Sequence, residues 1–349
     1  MSSRVPVTVG WDIGGVATKA ARLVYKQNRI RSLRMADEYF EIWKGKARLP
    51  SVLRKLFSKL GSADAMAVTM TAELSDVFPT RTDGVRYVVR CVQRAFPDLP
   101  KYGLDNRGDF VDLGRPLADP AALAATNWLA TAKLLAKFRP TCLLVDIGST
   151  TTDIIPILKG RVVATGRSDT DRLLAGELVY SGVLRTPVSA ITSALPLRRK
   201  LCPVATEYFA ISGDVYRILG YLKPRDYSCP TPDGQGTSRK AARRRLARMV
   251  CADVESLSEK EVMRMARYVY EKQRAQVMDA MSRVARRHGR RAGPIITTGL
   301  GSFLARDAAR VLRWPVENIA KVIGKMATRH TPPIGAAYLL AEWLEKRKG

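Results

Sequence analysis

Residues 7–13 (VTVGWDI) form a short apolar run that Gly14 and Gly15 end, and a second apolar run at 20–25 follows within a few residues. Two such runs around a glycine turn predict an antiparallel strand pair. Further extended segments are predicted at 29–35 and 37–43. From Pro50 the spacing becomes helical, with Val52, Leu53, Leu56, Phe57 and Leu60 on one face. A buried strand is expected at 65–70 and a helix at 84–96, stopped by Pro97. Residues 97–118, rich in Gly, Pro and Asp, predict loops with short strands, and a helix at 119–138 is expected to end at Pro140. Strand runs return at 142–147, 153–158 and 162–165. The texture of 196–260 is irregular, with a loop at 230–240 and a helix over 243–250. A long helix is predicted at 259–287, its inner stripe formed by Val262, Met265, Ala266, Val269, Val277, Met281 and Val284. A strand at 294–298, a helix from Phe303 and a final helix at 332–346 complete the pattern.

DIGG at 12–15 and DIGS at 146–149 each sit between two apolar runs, about one domain length apart. This predicts an internal duplication of architecture rather than a short-period solenoid. Each turn also carries chemistry. A carboxylate at a strand end can hold Mg²⁺, glycines let backbone N–H groups approach a phosphate, and hydroxyls add donors. The first turn offers Asp12, Gly14, Gly15, Thr18 and Lys19, and the second Asp146, Gly148, Ser149, Thr150, Thr151 and Asp153. Alone, either is an ordinary hairpin turn; together they define a candidate two-sided phosphate site. ITTGLGS (296–302), with Gly299 and Gly301, adds a glycine-rich strand-to-helix turn. No GxxxxGK[ST] occurs, which excludes a P-loop enzyme, and GLGSFL lacks the last glycine of a dinucleotide fingerprint.

Composition narrows the chemistry. The 349 residues suffice for two domains, and 46% hydrophobic with 26% charged residues is globular. Five scattered cysteines with no CxxC argue against a disulfide framework, a zinc ribbon or a clustered iron–sulfur site. His288 and His330 are too few for a multi-histidine centre. A metal is therefore expected to be hard and oxygen-ligated, namely Mg²⁺. No stretch is apolar enough to span a bilayer, and the first residues lack a leader pattern, so a soluble cytoplasmic protein without membrane partners is expected. The 59 Lys+Arg against 32 Asp+Glu leave a net charge of +27. Clusters at Arg243, Arg244, Arg245 and Arg248, and at Arg286, Arg287, Arg290 and Arg291, lack interleaved aromatics. The charge is thus read as surface composition and attraction of anionic substrates, and nucleic acid is not the expected partner. A homo-oligomer is left open.

The two DIG turns with the 296–302 turn resemble the sugar kinase/Hsp70/actin superfamily and, within it, the hydantoinase/oxoprolinase-like group. The resemblance implies an α/β fold of two duplicated RNase H-like domains around a central cleft. The first lobe is expected over 1–139 with the C-terminal helix 335–349, and the second over 140–334 with a helical insertion at 196–292. It also implies that 298–302 is the adenosine loop and 333–337 the start of the second connecting helix. Longer segments, TMTAELSDVFPTRTDGV (69–85), ATNW (125–128), GRSDTDRLLAGELVYSGVLRTPV (166–188), ATEYFAISGDVYRILG (205–220) and RLARMVCAD (245–253), resemble the tetrahydromethanopterin-linked one-carbon-transfer group. Its members are aryl-ether synthases of methanofuran biosynthesis.

That resemblance implies transfer of a (5-aminomethylfuran-3-yl)methyl group from its diphosphate to the phenol oxygen of γ-glutamyltyramine. ATP is not expected to be consumed. Asp12 and Asp146 are then the expected Mg²⁺ ligands and, with Lys19, the groups that answer the charge of the leaving diphosphate. The phenol must lose a proton at an ordinary pKa of about 10. Glu73, Asp83, Asp169 and Asp171 are the acidic candidates, with Asp169 taken as catalytic and Glu73, Asp83 and Asp171 as substrate-binding. Asp169 and Asp171 share a face if extended, and capping of a helix near Leu173 is the alternative. Asn127 and Trp128 are placed mid-helix, Asn127 as a substrate-binding candidate and Trp128 as core rather than a stacking platform. Arg185 is assigned to the glutamyl carboxylates, with a solvated turn as its alternative. Glu207 and Glu177 are candidates for the substrate amine, against plain surface positions. An ATP-dependent kinase or amide hydrolase of the same superfamily, or a non-catalytic nucleotide- or nucleic-acid-binding protein, are the competing classes.

Overall fold

The computed structural model describes residues 6–26, 29–288, 293–326 and 329–347. The N-terminal apolar runs pair as expected: β1 (Val7–Ile13) lies antiparallel to β2 (Ala17–Lys26). Then follow β3 (Arg29–Tyr39), α1 (Leu49–Leu60), β4 (Ala65–Met70), α2 (Arg81–Ala95), β5 (Lys101–Leu104), β6 (Phe110–Asp112) and α3 (Asn127–Phe138). The first sheet runs β3–β2–β1–β4–β5–β6, with β1, β4 and β5 mutually parallel. Its core is Trp11, Ile13, Leu53, Leu56, Met66, Val68, Val88 and their neighbours.

The wiring then repeats. The next strands are β7 (Cys142–Ile147), β8 (Thr152–Leu158) and β9 (Arg161–Val162), followed by α4 (Asp169–Ala175), β10 (Leu178–Val179) and α5 (Val188–Ile191). A hairpin of β11 (Ala194–Leu197) and β12 (Lys200–Pro203) leads to α6 (Ser212–Leu219), α7 (Arg239–Arg248) and α8 (Glu259–His288). The chain closes with β13 (Ile295–Thr298), α9 (Ser302–Val311), β14 (Val316–Asn318), α10 (Ile319–Ile323) and α11 (Thr331–Lys346). The second sheet runs β10–β8–β7–β13–β14, with β9 paired to β8. As in the first sheet, an antiparallel hairpin (β7–β8) is followed by parallel neighbours, β13 and β14. This duplication is what brings two equivalent turns into one molecule.

Two helices tie the sheets together. α11 returns to β1, where the Thr8 hydroxyl donates to the Ala337 carbonyl at 2.8 Å. α3 crosses α11, and one apolar cluster combines Ala21 and Leu23, Leu129 and Leu135, Leu144 and Ile155, and Ile334 and Ala337.

Several elements differ from the sequence-based expectation. The two extended segments at 29–35 and 37–43 are one edge strand ending at Tyr39, and Ile42–Lys44 is a 3-10 turn. An edge strand tolerates the polar Ser32, Asp37 and Glu38 because one side faces solvent. The helix expected from 119 begins at Asn127; Pro120–Leu123 is a 3-10 turn, and Ala125 takes a positive φ of 52° that breaks the run. Asn127 and Trp128 therefore lie in a first helical turn, not mid-helix. The strand expected at 162–165 stops at Val162. The Thr165 and Gly166 N–H groups donate instead to the Glu177 carboxylate (2.7 and 3.0 Å). The helix expected at 243–250 starts earlier, at Arg239, because the Ser238 hydroxyl accepts from the Ala241 N–H. Arg290 and Arg291 lie outside the described residues. Among those residues no helix is long and apolar enough to cross a membrane.

The inserted helices are pinned by a charge pair with no exposed surface. Arg245 on α7 donates to Asp214 on α6 through Nε and Nη2 (2.9 and 2.7 Å). The Tyr227 hydroxyl donates to the same oxygen at 3.0 Å. Removing Asp214 leaves the buried Arg245 with Asp233 alone, to which its Nη1 donates at 2.8 Å, and breaking such a buried pair costs about 3–5 kcal/mol. Asp214→Ala should therefore lower unfolding stability by about that much, read by denaturant melts.

Candidate functional site

The two turns are alike in detail. Asp12, at the end of β1, faces Lys19 across the ladder, and Asp146, at the end of β7, faces Asp153 in the same way. The Gly14 N–H donates to the Ala17 carbonyl at 3.0 Å, and the Gly148 N–H to the Thr151 carbonyl at 2.9 Å. Both turns are fastened from outside through their carbonyls. Those of Gly15 and Val16 accept from the Ile42 and Phe40 N–H groups at 3.0 Å each. Those of Gly148 and Ser149 accept from Val183, Leu184 and Arg185 at 3.1, 3.1 and 2.9 Å. Gly182 lies so close behind the second turn that a Cβ there would sit 2.5 Å from the Ser149 carbonyl carbon. With the carbonyls turned to these anchors, the N–H groups of Gly15, Val16, Ser149 and Thr150 make no hydrogen bond among the described residues. A turn whose N–H groups are left free can seat an anion.

The turns face one another. Lys19 Nζ lies 3.3 Å from Asp12 Oδ2, while Asp12, 3% exposed, keeps Oδ1 without a partner. Asp146 is pushed up to about 7, first by burial, then by the Asp153 carboxylate, with Lys19 pulling it down and Asp12 adding to the rise. Groups from the first sheet thus act on a carboxylate of the second, and one cleft holds both turns. The Thr18 hydroxyl is buried with no partner, and the Ser149 and Thr150 hydroxyls lie 3.4 Å apart. The third glycine turn caps the same spot. The Gly301 N–H donates to the Ile147 carbonyl at 2.8 Å, and a Cβ on Gly299 would fall 2.3 Å from Asp146 Oδ1.

A second group of charges spans the two lobes. Arg81, the first residue of α2, donates from Nη2 to Asp169 of α4 at 2.9 Å, and its Nε lies 3.6 Å from Glu73 Oε1. Glu73 is 1% exposed and is pushed up to about 7, chiefly by burial. Burial also raises Asp169 against the pull of Arg81 and Arg172. Arg172 donates to Asp153 at 2.7 Å, with its guanidinium 4.0 Å from the Trp128 ring centroid. A chain of charges therefore runs from Glu73 through Arg81 to Asp169, and from Arg172 through Asp153 to Asp146.

The remaining candidates sit elsewhere. Asp171 closes a capping box with Ser168, and since 169–175 is helical from its first residue, Asp169 and Asp171 do not share an extended face. Asp83 caps α2, accepting from the Thr80 hydroxyl at 2.6 Å. The Asn127 side-chain oxygen accepts from the Trp128 N–H at 2.8 Å. Glu207 is exposed, and Glu177 is a buried clamp on the 165–166 backbone rather than a surface residue. Arg185 is half-buried, its guanidinium 5.9 Å from the Trp43 ring centroid, so it leans from the second turn toward the first. Arg81, Arg172 and Trp43 were not singled out from sequence. Two lie inside the family-like segments, but nothing local separates an arginine at an ion pair from one in solvent.

Comparison with known proteins places this geometry. The hydantoinase/oxoprolinase family profile matches residues 64–344. The chain is 36% identical over 339 residues to the (4-{4-[2-(γ-L-glutamylamino)ethyl]phenoxymethyl}furan-2-yl)methanamine synthase of Methanocaldococcus jannaschii, covering 97% of this chain and 98% of that one. It is 33% identical over 210 residues to the synthase of the same name from Methanococcus vannielii, covering 59% of this chain and 93% of that one. A nucleotide-free acetone carboxylase structure superposes with a TM-score of 0.57 at 11% identity, covering 96% of this chain and 70% of that one, and shares the fold. The two-lobed actin-like α/β architecture implied by the motifs is borne out, and the chain belongs to the hydantoinase/oxoprolinase family.

Proposed function

We propose that this protein is a transferase of methanofuran biosynthesis, joining γ-glutamyltyramine to (5-aminomethylfuran-3-yl)methyl diphosphate as an aryl ether. The phenol oxygen forms a bond to the furanylmethyl carbon, the bond from that carbon to the diphosphate oxygen breaks, and diphosphate leaves with the electron pair. The phenol proton passes to a base. The observation that carries this reading is the pair of matched turns, each with free N–H donors and near enough that Lys19 and Asp12 of the first act on Asp146 of the second. Similarity over 97% of this chain to one synthase of that name, and over 59% of it to a second, supports it.

In this reading the Gly14–Gly15 and Gly148–Thr151 turns seat the diphosphate, and Lys19 with the Thr18, Ser149 and Thr150 hydroxyls adds donors. Charge that develops on the leaving oxygens meets donors already in place, which lowers the barrier more than the same donors in water. Among the described residues no three His, Cys, Asp or Glu side chains gather as a metal site. Mg²⁺ nonetheless suits one or two carboxylates plus substrate phosphates. The unpartnered Asp12 Oδ1, with Asp146 across the cleft, fits that donor set. Bound there, Mg²⁺ supplies charge neutralisation of the departing diphosphate.

ATP has no part in the proposed reaction. The 298–302 turn leads into Phe303, and the Tyr221 ring already stacks on Phe303, with centroids 4.4 Å apart and planes 10° apart. A ring face is thus used within the protein beside the turn where the fold's nucleotide-binding members take adenosine. Incubation with both substrates and Mg²⁺, without nucleotide, should give the ether, and inorganic diphosphate should inhibit competitively against the furan diphosphate. No ether under these conditions would reject the reading.

A further inference from the structure

Four acidic side chains are candidates to take the phenol proton, and the structure separates them. Asp83 and Asp171 are spent on helix caps, through Thr80 and Ser168. Asp169 accepts the hydrogen bond from Arg81 at 2.9 Å. Glu73 alone of the four is buried with an oxygen, Oε2, that no group engages. Beside it the Arg81 Nε is also buried without a hydrogen-bond partner, 3.6 Å from Glu73 Oε1 and too far to bond it.

An acceptor oxygen and a cationic N–H that both lack a hydrogen bond, even within an ion pair, are an unusual combination to leave inside a protein, because each costs about 1–3 kcal/mol when unsatisfied. A hydroxyl satisfies both at once: it donates to the carboxylate and accepts from the guanidinium. The position is fixed. Thr71 and Ala72 donate from their N–H groups to the Ile13 carbonyl (2.9 and 3.1 Å), tying the segment to the end of β1 beside the first turn. The first turn of α2 packs on the Glu73 backbone at Gly84, where a Cβ would lie 2.2 Å from the Glu73 carbonyl.

Resting on the ether-forming reading above, we propose that Glu73 is the general base and Arg81 the phenolate-stabilising cation for the γ-glutamyltyramine hydroxyl. The O–H proton goes to Glu73 Oε2, and the Arg81 Nε–H donates to the oxygen as it becomes negative. That oxygen's electron pair forms the new bond to the furanylmethyl carbon while diphosphate departs. Asp169, across the cleft on α4, positions Arg81. The charged groups facing Glu73 are Arg81 and Asp169, which oppose each other, so burial sets the balance and holds Glu73 at about 7. A base so placed is close to the pH at which it works best.

The test uses the full chain with both substrates and Mg²⁺. The wild-type rate should rise with pH through about 7, as Glu73 loses its proton. E73Q should form ether about a hundredfold more slowly, with KM for the furan diphosphate essentially unchanged. A γ-glutamyltyramine fluorinated on both carbons beside the hydroxyl has a more acidic phenol and should recover most of the E73Q loss while changing wild type little. If E73Q fails to fold, E73D takes its place with the same comparison of phenols. A loss equal for both phenols, or a loss confined to KM, overturns the assignment of Glu73 alone. Wild-type protein that makes no ether from the unmodified substrates overturns the underlying reading as well.

Discussion

Asp12→Ala and Asp146→Ala should each cut ether formation by about a thousandfold, near 4 kcal/mol of lost transition-state stabilisation, with no loss of thermal stability. The asymmetry follows from the site. Asp12 keeps a buried oxygen without a partner, and Asp146 stands in a cleft with Asp153 and Asp12 as neighbours. In the proposed reaction both carboxylates serve the ligand. The sign for Asp146 can be worked out for ligand-free protein in chelator. Its pKa in the fold, about 7, lies above the ordinary 3.8. Its contribution to stability is then fully present below about 4 and is lost as pH rises through about 7. Wild type should therefore lose stability relative to Asp146→Ala between about pH 4 and pH 7, read as a thermal midpoint difference that moves in the variant's favour. Variants with near-wild-type turnover at saturating Mg²⁺ would remove both carboxylates from the site.

Gly299→Ala is expected to damage stability and turnover together. Gly299 holds a φ of +82°, where an L side chain costs about 1–2 kcal/mol. Its Cβ would also fall 2.3 Å from both Asp146 Oδ1 and the Ile147 carbonyl oxygen. Overpacking of that kind adds about 1–3 kcal/mol, so a total loss of about 2–5 kcal/mol is expected. The Asp146 carboxylate must also shift, and a misplacement of about 1 Å can cost about a hundredfold in rate. Gly234→Ala is the control. Its φ of +68° is similar, but nothing lies within 4 Å of a Cβ there. It should show the backbone cost with normal turnover. Equal activity losses in the two variants would break the link between the third glycine turn and Asp146.

How much of this was readable beforehand depends on where each element draws its stability. The strand–DIG–strand repeat was legible because period-2 burial and a glycine turn are local features, and both copies carry them. The 196–260 region was not. In α6, Asp214 and Arg217 are buried beside Val215, Tyr216 and Ile218, so the charges that should mark an outer face lie inside and blur the helical period. Their partners are remote: Arg245 comes from α7, and Arg217 donates to the Thr237 and Leu222 carbonyls. The β11–β12 hairpin was missed for a related reason, since Pro196 and Pro203 argue against strands unless they lie at an edge.

The site divides along the same line. Asp12, Lys19 and Asp146 follow from position in a repeated turn. Glu73 and Asp169 were reached only through likeness to a family. Arg81 and Arg172 could not be chosen among 59 Lys+Arg without knowing which elements meet across the cleft. Asp171 is instructive: the capping alternative fits the sequence Ser168–Asp169–Thr170–Asp171 as well as a substrate role does, and the capping geometry is what the fold uses.

The central claim is that the two facing turns hold the diphosphate of the substrate itself. The most direct measurement is one time course with γ-glutamyltyramine, the furan diphosphate, Mg²⁺ and added ATP, in which ether, diphosphate and ADP are all counted. The account predicts one diphosphate per ether, no ADP, and the same ether yield when ATP is left out. One ADP per turnover without diphosphate would contradict it and assign the same two turns to a nucleotide.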